Sequence, residues 1–255
     1  MNKDTKLYIE KIAEMTRAEC NVTDYGIQNV FEAFEKLEYR MIRYPLGADS
    51  FLGFALTRDG EKIIFSNSSQ IFSREVFTVA HEIGHHKLHL SEQGTTLIKD
   101  DDFNSTENIE IEANHFAACL LMPEEKIRKF IRLELHDRPV EKWTGLDIAR
   151  IQTIFGVSYD MALVRLKSIG VINDQNQKKL KTDQAERTTH SLLKAINGNS
   201  DLCTPSLAKK LPAEYLEWAI SNYRDKLVPI ETLEKALQYV GIHVSDLDLT
   251  FENIW

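Results

Sequence analysis

The chain has 255 residues, of which 43% are apolar, enough to bury a sizeable core in one large domain or two modest ones. A net charge of −8 makes it a poor non-specific binder of nucleic acid; no apolar run approaches the ~18–20 residues that span a bilayer, and the charged, amphipathic start carries no secretory signal, so a cytoplasmic protein without membrane contact is expected. Cys20, Cys119 and Cys203 lie far apart with no CxxC spacing, which argues against a disulfide framework and a thiolate zinc site.

Residues 6–19 place Leu7, Ile9, Ile12, Ala13 and Met15 at helical spacing, and Ile27, Val30, Phe31, Phe34 and Leu37 mark a second amphipathic helix after the turn at Asp24-Tyr25-Gly26. Tyr39–Tyr44 is β-prone and ends before Pro45. Residues 53–57 and 62–66 flank Arg58-Asp59-Gly60-Glu61, an Asp-Gly hairpin signal, so a small antiparallel sheet of about three strands is expected. Residues 73–90 return to helical period, with Ser73 near the N-cap. Residues 91–108, with Gly94 and Asp100-Asp101-Asp102, read as a polar surface loop. Ser105-Thr106-Glu107 opens a helix that runs to Met122 and stops at Pro123, which suits the start of the next one. Residues 146–168, broken by Gly156-Val157-Ser158, read as helix, tight turn, helix. Residues 173–188 are polar and read as a linker, and helices resume at 189–196, 212–226 and 229–240, with Pro229 and Gly241 as start and stop.

The chemistry concentrates in His81-Glu82-Ile83-Gly84-His85. Residues four apart project from one helical face, so the two imidazoles can share a zinc ion. Glu82, beside the first of them, is placed to take a proton from water and return it to a leaving amine. Gly84 lets another segment approach closely. An HExxH arises by chance often enough that a third ligand is needed. Glu110 and Glu112 point about 200° apart around their helix, so only one can face the metal. Glu110 shares its face with Ala113, Asn114 and Ala117, small residues that permit tight packing, whereas Glu112 shares one with Phe116 and Cys119. Glu110 is therefore the expected third ligand, with the Asn114 amide oxygen behind it as hydrogen-bond acceptor for a ligand imidazole. His89 lies a further turn along the face of His81 and His85; ligand, pocket residue and helix-end cation are all open to it, and the helix-end or packing role is the expected one. His86 and His115 read as surface or packing residues, Cys119 as core.

The segments Phe77-Thr78-Val79-Ala80-His81-Glu82-Ile83-Gly84-His85 and Glu110-Ile111-Glu112-Ala113-Asn114-His115-Phe116-Ala117-Ala118-Cys119-Leu120-Leu121-Met122-Pro123, with the hairpin end Ile63-Ile64-Phe65-Ser66-Asn67, resemble the ImmA/IrrE family of metallo-endopeptidases over roughly residues 25–170. The resemblance implies an α+β fold. A mainly helical, zincin-like core carries the small sheet, and helix-turn-helix-like and further helical segments follow. It implies one zinc per chain, in a gluzincin arrangement held by His81, His85 and Glu110, with Glu82 as catalytic base. Relatives cleave, or promote cleavage of, helix-turn-helix transcriptional repressors, so a repressor is the expected protein substrate and transcription regulation the expected setting. Residues 148–166 resemble the helix-turn-helix-like segment that follows the peptidase core in that family.

The expected domains are 1–135 (peptidase), 136–172 (helix-turn-helix-like), 173–188 (linker) and 189–255 (helical). The alternative is a zinc-containing regulator that binds a repressor or DNA without cutting. Residues 126–170, with nine Lys/Arg against five Asp/Glu, favour it locally, although direct DNA binding is not expected of so acidic a chain. A coincidental HExxH in a helical interaction protein is the third reading.

Overall fold

The computed structural model describes residues 1–58, 60–90, 96–100 and 108–247, with only the backbone described over 96–100. Asp59 of the predicted turn and the helix start at Ser105-Thr106-Glu107 lie outside the described residues. Two compact units separate, Met1–Ala208 and Lys209–Trp255.

The first unit opens with helix α1 (Lys3–Glu19), capped by Asn2, whose side chain accepts from the Thr5 N–H, and α2 (Val30–Glu35), capped likewise by Asn29. Strands β1 (Tyr39–Tyr44), β2 (Gly53–Arg58) and β3 (Glu61–Asn67) follow, then α3 (Phe72–Leu88), β4 (Thr96–Asp100), α4 (Asn108–Leu121) and α5 (Glu124–Glu134). Helix α3 starts one residue before Ser73, and Ile71 at its N-cap offers no side-chain hydrogen bond. The fold is α+β, as expected, but its sheet departs from the expectation in two ways. It has four strands in the order β1-β3-β2-β4, and β1 pairs with β3 in parallel, so the sheet is mixed rather than antiparallel. The β2–β3 hairpin forms with Gly53 opposite Ser66 and Arg58 opposite Glu61. Because β3 inserts between β1 and β2, it runs alongside β1 in the same direction. Strand β4 lies within the stretch read as a loop and pairs antiparallel with the other side of β2. A run as short as Thr96-Leu97-Ile98 does not announce itself in sequence; the edge of β2 supplies its partner.

Helix α3 lies across the sheet, with Val79, Ala80 and Ile83 buried, and α4 packs on it through Ala113, Phe116, Ala117 and Leu120. Arg17 clasps the far end of α4: its guanidinium donates to the carbonyls of Leu120 at 2.8 Å, Asp24 at 2.9 Å and Tyr25 at 3.0 Å. Helices α6 (Gly145–Phe155) and α7 (Tyr159–Ser168) form the expected helix-turn-helix, with Gly156 left-handed at φ 68° and the Ser158 side chain capping α7.

Residues read as a linker instead form helix α8 (Asp174–Glu186), which closes onto α6 and α7. One apolar residue anchors it: Leu180 is buried, and its carbonyl accepts from Tyr159 Oη at 2.8 Å. Lys179 Nζ donates to the Glu141 and Trp143 carbonyls, and Asp183 accepts from the Gly145 N–H. The polarity that suggested a linker is the composition of a helix held by end-capping and side-chain-to-backbone bonds. Helix α9 (Thr189–Ala195) and residues up to Ala208 belong to this same unit, so the boundary falls near 208 rather than within 173–188. The second unit contains α10 (Tyr215–Arg224) and α11 (Ile230–Tyr239), paired by buried Leu233 and Leu237 and by Tyr215 Oη donating to the Ala236 carbonyl. No helix among the described residues is long and apolar enough to cross a membrane.

Candidate metal centre

Helices α3 and α4 approach closely because their contact is lined by small residues. A β-carbon built on Gly84 would lie 3.0 Å from Phe116 Cδ1 and 3.2 Å from both Cα and O of Ala113, closer than ordinary packing allows. That approach brings Glu110, one turn before Ala113, onto the two imidazoles of α3. His81 Nε2 and His85 Nε2 are 2.8 Å apart, His81 Nε2 is 3.1 Å from Glu110 Oε2, and His85 Nε2 is 3.3 Å from Glu110 Oε1. A tetrahedral ion with bonds of 2.0–2.1 Å separates its ligand atoms by about 3.3 Å, so these three donors sit near the corners of one tetrahedral face. All three residues are buried.

The donor chemistry also fits a cation. Asn114 Oδ1 lies 3.0 Å from His81 Nδ1, and an amide oxygen only accepts. Nδ1 therefore carries a proton, and Nε2 is the nitrogen that faces the Glu110 carboxylate. A buried carboxylate set against two imidazole nitrogens at about 3 Å is a donor set that a bound cation satisfies. Burial, together with the adjacent His81 ring, lowers His85 to about 4, so that imidazole is neutral near pH 7. Burial alone would push the Glu110 carboxyl up, but the neighbouring His81 and His85 imidazoles outweigh it and leave Glu110 below its ordinary value.

Glu82 is fully buried on α3, on the side where β2 begins. A β-carbon at Gly53, the first residue of β2, would fall 3.2 Å from Glu82 Oε1 and 2.6 Å from Thr78 Cγ2, so only glycine leaves this carboxylate its place.

The five residues singled out from the sequence are thus neighbours on two helices. Two more, His89 and Glu112, join them. His89, at the end of α3, packs inward: its Nδ1 is 3.1 Å from His85 Nδ1 and its Nε2 is 3.2 Å from Glu112 Oε2. The i+4 continuation from His85 to His89 was the available signal, but its partner on α4 was not readable from spacing. His86 is a packing residue, buried between Tyr39 Oη at 3.2 Å and Thr57 Oγ1 at 3.1 Å. Cys119 is core, and burial pushes its thiol up to about 11. With His115 Nε2 at 3.6 Å, and Glu10 Oε1 3.5 Å from that same nitrogen, it forms a second candidate metal group among the described residues. There, however, the positive charge of the Arg165 guanidinium acts on both the thiol and His115 and opposes a cation.

Two comparisons bear on this arrangement. The family model described as Peptidase_M78, IrrE N-terminal-like domain, matches residues 24–167, which span His81, Glu82, His85, His89, Glu110, Glu112 and Asn114. A protein of Bacillus phage phi105, named as immunity region protein 2, is 26% identical over 135 residues, covering 52% of this chain and 84% of the phage protein.

Proposed function

Because the chain belongs to the Peptidase_M78 family through its IrrE N-terminal-like domain, we propose that it is a zinc-dependent endopeptidase of the cytoplasm. We propose further that it has a narrow protein substrate range, with a helix-turn-helix transcriptional repressor as its substrate. The observation that carries this reading is the convergence of His81 Nε2, His85 Nε2 and the Glu110 carboxylate within about 3 Å of one another, beside a buried glutamate.

His81, His85 and Glu110 are the residues that would hold zinc, one ion per chain. When bound, zinc supplies Lewis-acid polarisation of the scissile carbonyl and acidifies water to a pKa of about 7. Glu82 takes the proton from the attacking water and delivers it to the departing amide nitrogen. Asn114 holds the His81 ring in the tautomer that presents Nε2. Gly53 keeps side-chain atoms away from Glu82. The phage relative, named for an immunity region, accords with a repressor substrate.

The test compares zinc content and cleavage of the repressor encoded nearest to this protein, wild type against Glu82→Gln. About one zinc in both proteins, with cleavage only in the wild type, is expected. Processing that persists in Glu82→Gln refutes the peptidase.

The non-cleaving reading rests on the α6–α7 helix pair. Its DNA-binding form is disfavoured by that pair's own surface. Most of α6 is buried, α8 packs against α7, and α7 turns Asp160, Val164, Lys167 and Ser168 outward, a poor set for phosphates and base edges. Repressor inactivation that survives Glu82→Gln but not loss of residues 145–170 would support the protein-binding form.

A further inference from the structure

We propose that His89 and Glu112 form a positioning relay that fixes the tautomer and orientation of His85, as Asn114 does for His81. This inference rests on the metal-site reading above. It assigns both residues a task other than holding the ion.

The relay runs inward from the carboxylate. Glu112 Oε2 lies 3.2 Å from His89 Nε2, and a carboxylate oxygen accepts, so the His89 proton is on Nε2. The other ring nitrogen, Nδ1, is then the one placed to accept, and it lies 3.1 Å from His85 Nδ1. His85 must donate across that contact, so its own proton is on Nδ1 and its Nε2 lone pair turns toward His81 Nε2 and Glu110. Each ligand imidazole thus has a dedicated acceptor behind it: an amide oxygen for His81, and an imidazole backed by a carboxylate for His85. A carboxylate–histidine arrangement behind a metal ligand fixes the ring and raises its basicity.

The local backbone explains why His89 can reach. It is the C-cap residue of α3, with φ −126° and ψ −27°, off the helical path, while its N–H still donates to the His85 carbonyl at 2.8 Å. The side chain folds back along the last turn rather than out to solvent; it is 11% exposed, whereas Glu112 at 31% retains access to water. A helix-end cation would turn its ring toward carbonyl oxygens, whereas this ring faces another imidazole nitrogen. Glu110 and Glu112, two residues apart on α4, therefore serve the same centre at different depths. One reaches the ligand atoms of α3, and the other reaches the ring standing behind them.

The experiment measures zinc affinity by competition with a chromophoric chelator at fixed pH, for the wild type, His89→Ala, Glu112→Ala, His89→Asn and the His89→Asn/Glu112→Ala double variant. Unfolding midpoints of the metal-free forms serve as the fold control. His89→Ala and Glu112→Ala are expected to weaken affinity roughly 10–100-fold. His89→Asn places an amide oxygen where Nδ1 was and is expected to recover most of the loss. Adding Glu112→Ala to it should change nothing further, because the asparagine no longer links to the carboxylate. In the zinc-loaded wild type, nitrogen NMR should show the His85 proton on Nδ1.

A purely structural role for His89 predicts no rescue by asparagine and no coupling to Glu112. Either of those results, or unchanged affinity in His89→Ala, overturns the relay while leaving the metal site standing. A wild type that takes up no zinc overturns the metal-site reading first and the relay with it.

Discussion

Replacing Gly84 with alanine sets two magnitudes against each other. In a helix interior, alanine is favoured over glycine by about 1 kcal/mol, so a substitution without steric consequence would stabilise α3. Here the new β-carbon meets Phe116 Cδ1 at 3.0 Å and the Ala113 backbone at 3.2 Å. The phenyl ring can turn aside, but the Ala113 Cα and carbonyl cannot, so α3 and α4 must separate by a few tenths of an ångström. Overpacking of this kind costs about 1–3 kcal/mol, and the net expectation is destabilisation of roughly 1 kcal/mol. The larger effect falls on the metal. Glu110 rides on the same turn of α4 as Ala113, and coordination distances tolerate only about 0.2 Å. Urea unfolding of chelator-treated protein reads the packing cost, and chelator competition reads zinc affinity, which should fall at least about tenfold, a loss of roughly 1.4 kcal/mol. An alanine variant with a higher unfolding midpoint and unchanged affinity would refute the idea that helix proximity sets the site.

Two other perturbations test the scaffold. Glu75 is fully buried, and Arg43 bonds both of its oxygens at 2.8 Å, helped by Ser66 and Ser206. Arg43→Ala strands that carboxylate and should cost about 3–5 kcal/mol in chemical unfolding; a loss below 1 kcal/mol would show that water reaches Glu75. Burial, with the charges of Lys62 and Lys87, lowers His86 to about 4, against 6.5 for the free ring. Between those values the unfolded chain binds a proton that the folded protein refuses. The stability is therefore complete above pH 6.5 and declines as pH falls toward 4, by roughly 2 kcal/mol after allowance for partial solvation. His86→Gln should flatten that part of the pH profile in chelator-treated protein, and an unchanged slope would contradict the assignment.

The local geometry of this chain was legible before any coordinates. The spacing His81 to His85 sets one helical face, and the angle between Glu110 and Glu112 leaves one carboxylate for that face. Small residues at Gly84, Ala113 and Ala117 mark where two helices can touch. Each of these follows from 3.6 residues per turn and side-chain size, which depend on neighbours in sequence alone.

Three features depended on residues distant in sequence. The insertion of β3 between β1 and β2 made the sheet mixed, because hydrophobic alternation specifies that a strand forms and which face it buries, not which strand stands beside it. Helix α8 looked like a linker because its stability comes from Tyr159, Trp143 and Gly145 receiving it, rather than from an apolar stripe of its own. The contact of Glu112 with His89 joins the end of one helix to the second turn of another, and helical periodicity carries no information about where two helices meet along their lengths. Composition and period therefore marked most of the elements and the imidazole pair on α3, whereas the packing of α4 against it decided which further side chains reach that pair.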